Sequence, residues 1–374
     1  MIIGIPKETM DQEYRVGITP AVCGLLAKAG HQVLVERGAG EGAGHPDAAY
    51  EAQGGRIVSD AGRAWGGAQI VVKVKQPLPH EYQYFRPGLL LYCFLHLAAE
   101  PVLTDALLRE RVDTVAAETV QTSDGALPAL APMSEIAGKM TLQIGAHYLS
   151  KPAGGIGKLM SGAVGVPPAK VLVVGGGNVG AAAGRMALGV GAEVTVLDRS
   201  HRRLVYLQEA LHGNLVTMLS NDAALADALP EADILIGAVL VPGARTPVVV
   251  TKSMIGLMKP GAVVIDVSID QGGCIETSRP THHSDPTYSV NGVTHYCVVN
   301  MPGAVPRTAS QAYAFASYPY IADLAAQGIR DAAKHEQAIA LGVNTYQGHI
   351  TCPGVAEALE QPLAPLHTLF KLDL

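Results

Sequence analysis

The stretch KVLVVGGGNVGAAAGRMALGVGAEVTVLD, residues 170–198, decides the fold. An apolar run ends at Val174, and Gly175, Gly177 and Gly180 then stand in the spacing G-x-G-x-x-G. An Ala-rich segment follows, and a second apolar run ends on Asp198. The glycine spacing alone is a weak signal. With a strand before it, a helix after it and an acid about 20 residues on, it reads as a dinucleotide-binding βαβ unit. Gly175 permits the tight turn, Gly177 keeps a Cβ away from the pyrophosphate, and Gly180 lets the helix pack closely on the strand. The helix start offers free N–H groups and about half a positive charge to the phosphates. Asp198 suits the ribose hydroxyls and repels a 2′-phosphate, which favours NAD over NADP. Arg199, Arg202 and Arg203 weigh the other way.

Short apolar runs alternate with Ala/Leu-rich segments on both sides of this unit, the pattern of α/β folds. Residues 2–5, 32–36, 70–74, 89–95 and 114–117 form one set of expected strands. Residues 171–174, 193–197, 234–238, 263–269 and 295–299 form a second. Between the sets, KPAGGIGKLMSGAVGVPP (151–168) is rich in Gly and Pro and reads as a surface loop. Its portion 154–166 is either an apolar assembly surface or an active-site flap. A long helix over about 310–341 would carry the chain back to the first set. The expected fold class is α/β: two Rossmann-like parallel-sheet domains separated by a cleft and connected by long helices. The substrate/catalytic domain is discontinuous, 1–128 plus 307–374, and 129–306 is the NAD-binding domain.

The chain has 374 residues, 48% of them hydrophobic and 16% charged, enough apolar material for sizeable cores and too little charge for disorder. Lys+Arg 27 against Asp+Glu 33 gives 27 − 33 = −6, with no basic block. That balance argues against nucleic acid or an anionic membrane surface as partner. The five cysteines are scattered and form no C-x-x-C pair, which suits reduced thiols in a cytoplasmic protein. The start, MIIGIPKETMDQEYR, lacks a basic segment followed by an apolar one, so it is not a signal peptide. The longest apolar run, about 88–99, is too short to span a bilayer and contains His96.

Three other features carry no chemistry. RGAGEGAG (37–44) lacks the third fingerprint glycine, and its Glu41 would repel phosphate. His335-Glu336 begins an H-E-x-x-H pattern, but Ile339 stands where the second His belongs. His282-His283 reads as a solvated loop pair, and no metal is expected.

Ligands of parallel sheets bind beyond the carboxyl ends of the strands. Polar residues that terminate apolar runs are therefore the site candidates. IVVKVK ends in Lys75, LLLYCFL runs into His96, TVAAE ends in Glu118, and VVIDVSID ends in Asp270 before Gly272 and Gly273. Arg15 lies in the polar segment EYRVGITP after the first run. These cations, a titratable base and an acid can converge if two sheets face each other across a cleft. Asp266, inside its run, and Glu118 are expected to be structural.

Read together, GIPKE (4–8), EYRVGITP (13–20), VKVKQP (72–77), FLHLA (94–98), PMSEIAG (132–138), GGGNVG (175–180), VIDVSIDQGG (264–273) and VNMPGAVPRTAS (299–310) resemble the alanine dehydrogenase family over nearly the whole chain. The resemblance implies NAD-dependent, reversible oxidation of L-alanine to pyruvate and ammonia. It gives Arg15 and Lys75 the substrate carboxylate and carbonyl, makes His96 the acid/base, and has Asp270 complete the site. It sets Met133, Ser134, Asn300 and Met301 near the nicotinamide and Asp198 on the adenosine ribose, with Arg203 and Ser220 as further cofactor contacts. It also implies a homohexamer. The related transhydrogenase subunit carries an Arg-Gln loop in the segment that aligns with PMSEIAG, and this chain has neither residue there. A non-catalytic NAD-responsive module is the other alternative, against which the intact Lys75, His96 and Asp270 speak.

Overall fold

The computed structural model describes residues 1–241 and 244–370. Residues 371–374, the end of the expected discontinuous domain, and 242–243 lie outside the described residues. The chain forms two compact units. The first is Met1–Met133 with Pro242–Arg245 and Gly303–Leu374, and the second is Ser134–Val241 with Thr246–Pro302.

The first unit opens with β1 (Ile2–Ile5), β2 (Gln32–Glu36), β3 (Arg56–Val58), β4 (Ile70–Val72), β5 (Leu90–Cys93) and β6 (Asp113–Ala116). The second unit holds β7 (Lys170–Val174), β8 (Glu193–Asp198), β9 (Leu215–Leu219), β10 (Ile234–Gly237), β11 (Val263–Asp266), β12 (Thr287–Val290) and β13 (Val293–Tyr296). The first unit then gains β14 (Val343–Tyr346) and β15 (His349–Ile350). Its sheet has the order β15-β14-β6-β5-β4-β1-β2-β3; that of the second is β12-β13-β11-β10-β7-β8-β9. Central strands such as IVV of β4, LLYC of β5 and ILIG of β10 are buried along their whole length, as strands covered on both faces must be. The edge strand LVTML of β9 has no fully buried residue. Trp65, Leu91, Leu95, Leu103 and Leu107 pack one core of the first unit, and Leu172, Leu197, Leu235, Val264 and Ile275 that of the second.

Three findings depart from the sequence reading. The sheets are parallel-dominated but mixed: β14 runs antiparallel to β6 and β15, and β12 antiparallel to β13. Both hairpins turn through two residues of positive φ, Asn291-Gly292 and Gln347-Gly348. The run expected over 263–269 stops at Asp266 and tightens into the 3-10 turn Val267–Gln271, because the Asp266 carboxylate accepts from the amides of Ser268, Cys274 and Ile275. The long helix spans Pro306–His335 rather than 310–341, is broken at Gly328 (φ 77°), and gives way to a separate helix Gln337–Gly342. The five cysteines are all buried and unpaired, and no helix among the described residues is long and apolar enough to cross a membrane.

His295 in β13 is fully buried, its Nδ1 3.1 Å from the Val293 carbonyl and its Nε2 2.8 Å from the Thr277 hydroxyl. A carbonyl only accepts, so Nδ1 carries the proton and Nε2 receives the hydroxyl's. Burial holds this imidazole below its ordinary pKa, despite the Val293 bond. Below that ordinary value the unfolded chain binds a proton that the native site refuses, so stability falls with pH there. Melting temperature should therefore drop between pH 7 and pH 5, and His295→Gln should drop less; equal drops in both proteins would contradict the assignment.

Candidate active site

Strands β5, β4 and β1 are consecutive and parallel in the first sheet. Arg15 lies in the segment that follows β1, Lys75 follows the end of β4, and His96 follows the end of β5. The β4–β5 register pairs Val72 with Tyr92, and its continuation sets Lys75 opposite Leu95, one residue from His96.

Each of these residues is held by a buried carboxylate. Arg15 is 2% exposed and forms a two-pronged pair with Glu13, Nε to Oε1 at 2.8 Å and Nη2 to Oε2 at 2.7 Å. The Arg15 amide also donates to Glu13 at 3.0 Å, and Nη1 lies 3.3 Å from the sulfur of Met133. Burial alone would raise the Glu13 carboxyl, but the guanidinium, with a smaller pull from Lys75, more than offsets it and holds the group below the usual carboxylate range.

Glu8 secures the Lys75 segment: its Oε1 accepts from the amides of Val74 (2.6 Å) and Lys75 (3.4 Å). Its other oxygen meets the buried Lys73 ammonium at 3.0 Å, and Lys73 meets Glu81 at the same distance. Burial pushes the Glu8 carboxyl up against the pull of Lys73. Lys73 itself would be lowered by burial, but Glu8 and Glu81 more than offset this and keep it protonated. Glu8, Glu13 and Glu81 thus stand against Arg15, Lys73 and Lys75, three charges of each sign in one buried cluster.

His96 is partly buried, in the left-handed backbone region (φ 51°, ψ 37°), and its ring stacks on Phe94. A non-glycine residue there costs about 1–3 kcal/mol and persists only where its surroundings enforce it. Glu118, buried beyond β6, accepts from the His96 amide at 2.6 Å and from the Leu95 amide at 3.1 Å and 3.2 Å.

In the second unit, the β7 loop leads into the helix Asn178–Gly189. Gly175 has φ 104°, and a Cβ there would lie 2.4 Å from the Ala238 carbonyl oxygen. A Cβ at Gly180 would lie 1.9 Å from the Gly175 carbonyl oxygen, whereas one at Gly177 would meet nothing within 4 Å. The loop thus leaves open space where a phosphate would sit, and its sterics fit a dinucleotide. Asp198, at the end of β8, accepts from the Gly176 amide at 2.6 Å and the Ser200 amide at 2.7 Å. Each oxygen keeps acceptor capacity, since an ionised carboxylate has about four lone-pair sites. Arg203 donates to the carbonyls of Gly176 and Gly177 and lies over the Tyr206 ring, so it braces the loop from below. The Ser220 amide donates to the Asp198 carbonyl at 3.0 Å.

Asp270 lies in the 3-10 turn after β11, and its Oδ1 accepts from the Asn300 amide at 3.2 Å. Asn300 has φ 76° and is buried, as is Met301 beside it. Its carbonyl accepts from His283 Nε2 at 3.0 Å. His283 is therefore half-buried and bonded, not one of a solvated pair; the turn 281–285 folds it back onto Asn300. Ser134 is half-buried on the helix Ala131–Leu149. No group of three potential metal ligands occurs among the described residues. The sequence reading passed over Glu8, Glu13, Lys73 and Glu81. Their signal was the presence of charges inside segments that otherwise read as apolar or turn.

A glycine loop between strand and helix, closed by an acid on the next strand, defines the class: a dinucleotide-binding fold. Residues 4–137 match the family model for the alanine dehydrogenase/PNT N-terminal domain and 141–353 that for its C-terminal domain. The alanine dehydrogenase of Halomonas elongata is 49% identical over 358 residues, 96% of each chain. That of Staphylococcus haemolyticus is 49% identical over 374 residues, all of both chains. A solved L-alanine dehydrogenase superposes with TM-score 0.89 at 45% identity, covering 96% of this chain and 99% of its own. A transhydrogenase from Sinorhizobium meliloti shares the fold, with TM-score 0.77 at 24% identity over 94% of this chain and 99% of its own. The chain belongs to the alanine dehydrogenase/PNT family, on its alanine dehydrogenase side, and is an oxidoreductase that uses a pyridine nucleotide.

The glycines differ in what they tolerate. Gly180→Ala forces a Cβ onto backbone and should destabilise the fold by roughly 1–3 kcal/mol, read as a lower melting temperature. Gly177→Ala should leave the melting temperature unchanged and weaken NADH binding in a fluorescence titration. Unweakened NADH binding in Gly177→Ala would remove the phosphate from this loop.

Proposed function

We propose that this chain catalyses the reversible oxidative deamination of L-alanine to pyruvate and ammonia with NAD as hydride acceptor. The observation that carries the reading is the succession of Arg15, Lys75 and His96 beyond the carboxyl ends of three adjacent parallel strands. Arg15 and Lys75 bind the substrate carboxylate and carbonyl; charge-assisted bonds of this kind contribute about 1.5–3 kcal/mol each. The pairing with Glu13 fixes the guanidinium plane before substrate arrives, so little is lost in ordering it. NAD, when bound at the β7 loop, supplies the acceptor for the hydride that leaves C2. The amine must be neutral for that hydride to leave. His96 takes the proton from the water that adds to the resulting iminium carbon, and returns one to the departing ammonia. Asp270 supports the cationic imine as its anion.

Gly175, Gly177 and Gly180 cradle the pyrophosphate, Asp198 holds the adenosine ribose, and Arg203 and Ser220 line the same end. Met133, Ser134, Asn300 and Met301 are assigned to the nicotinamide on the family resemblance. Asp198 favours NAD over NADP, because a carboxylate at the end of the second strand of such a unit accepts from ribose hydroxyls and repels a 2′-phosphate. We assign substrate binding to 1–128 plus 307–374 and cofactor binding to 129–306. The buried, unpaired cysteines support a cytoplasmic location. Family membership, with the exposed Leu159, Val164 and Val166 of the 154–166 segment, supports a homohexamer; sedimentation should give six chain masses, and one chain mass would contradict it.

A scan of amino acids with NAD and with NADP should give the fastest reduction with L-alanine and NAD. His96→Ala should lower turnover with NADH affinity kept, and Asp198→Ala should do the reverse. Equal loss of NADH affinity in both variants would overturn the division of roles.

A further inference from the structure

We propose that Glu118 is a positioning residue for His96: from beyond β6 its buried carboxylate fixes the backbone from which the imidazole projects. The proposal rests on the reading of His96 as acid/base and deepens it.

The geometry follows from the sheet. In the β5–β6 ladder Leu90 pairs with Asp113 and Cys93 with Ala116. Continued by two residues, the register brings Glu118 opposite Leu95. The Phe94 amide still finds a ladder partner in the Val74 carbonyl. Past it the chain leaves the sheet, and the next two amides, of Leu95 and His96, go to the Glu118 carboxylate at 2.6–3.2 Å. The side chain thus takes the place of ladder carbonyls. Glu118 is 2% exposed, so water does not compete for these bonds. His96 meanwhile holds the left-handed conformation that non-glycine residues avoid, φ 51°. A strained residue at a candidate reaction site, gripped through its own amide by a buried charge, is what a fixed imidazole requires. The same device recurs two strands away, where the β1–β4 register continued from Gly4 and Val71 brings Glu8 opposite Lys75.

The test is a double-mutant cycle in the full chain, with Glu118→Ala, Glu118→Gln, His96→Ala and His96→Ala/Glu118→Ala. Turnover and KM for L-alanine are measured at saturating NAD, NADH affinity by fluorescence, and folding by circular dichroism. Glu118→Ala should lower turnover by about tenfold to a hundredfold, the size of effect that misplacing a reacting group produces, with NADH affinity kept within about twofold. Glu118→Gln retains one acceptor oxygen and should recover part of the loss. It also serves as the reading if Glu118→Ala fails to fold. With His96 already removed, the Glu118→Ala change should cost little more. A full further loss in the His96→Ala background, or wild-type turnover in both Glu118 variants, would overturn the proposal. Wild-type turnover in His96→Ala alone would instead remove the acid/base role on which it stands.

Discussion

The end of a parallel ladder leaves amides without a partner strand, and in this protein buried carboxylates supply the missing acceptors. Glu8 takes the amides of Val74 and Lys75, and Glu118 those of Leu95 and His96. Asp266 takes those of Ser268, Cys274 and Ile275, and Asp198 those of Gly176 and Ser200. An unpaired buried amide costs free energy comparable to a lost hydrogen bond, and a carboxylate oxygen is a stronger acceptor than a peptide carbonyl. Strand ends that would otherwise fray are held by these bonds, and these are the segments that carry the proposed chemistry.

Buried carboxylates bring a cost of their own, since desolvation disfavours the charged form. For Glu8, Glu13 and Glu81, cations at hydrogen-bond distance offset it. Glu13 is held ionised by Arg15, and Lys73 lies between Glu8 and Glu81. Asp266 has no such cation among its named partners; three backbone amides, the Ser278 hydroxyl and the Cys274 thiol donate to it, and burial still raises its pKa. Removing one member of such a set leaves an uncompensated charge, which costs more than the set contributes when whole. The arrangement therefore favours precise placement over maximal stability.

Much of this architecture was legible in the residues. β1 and β2 fall where the apolar runs put them, and the second set begins with the strand–glycine–helix unit that the spacing of Gly175, Gly177 and Gly180 announces. The short edge strands were harder. β3 has three residues and β15 two, too few for a period to register. The β12–β13 hairpin did leave a sign, since Asn291-Gly292 is a strong two-residue turn signal, but the flanking TYSV is not apolar enough to stand out. Strand-end reasoning drew attention to Lys75, His96 and Asp270, and to Glu118 as a structural residue, but not to Glu8 or to which backbone each carboxylate serves. A carboxylate that serves its neighbour's backbone is set by sheet register between residues 22 or 67 apart, and no local pattern records that.

The reaction assigned to these strand ends has one defining event, departure of the C2 hydrogen of alanine with its electron pair. Supplying L-alanine deuterated at C2, with NAD and the purified chain, and weighing the reduced cofactor by mass spectrometry follows that hydrogen directly. NADH heavier by one deuterium per turnover is the predicted result. Unlabelled NADH, or deuterium released to water while pyruvate forms, would contradict it.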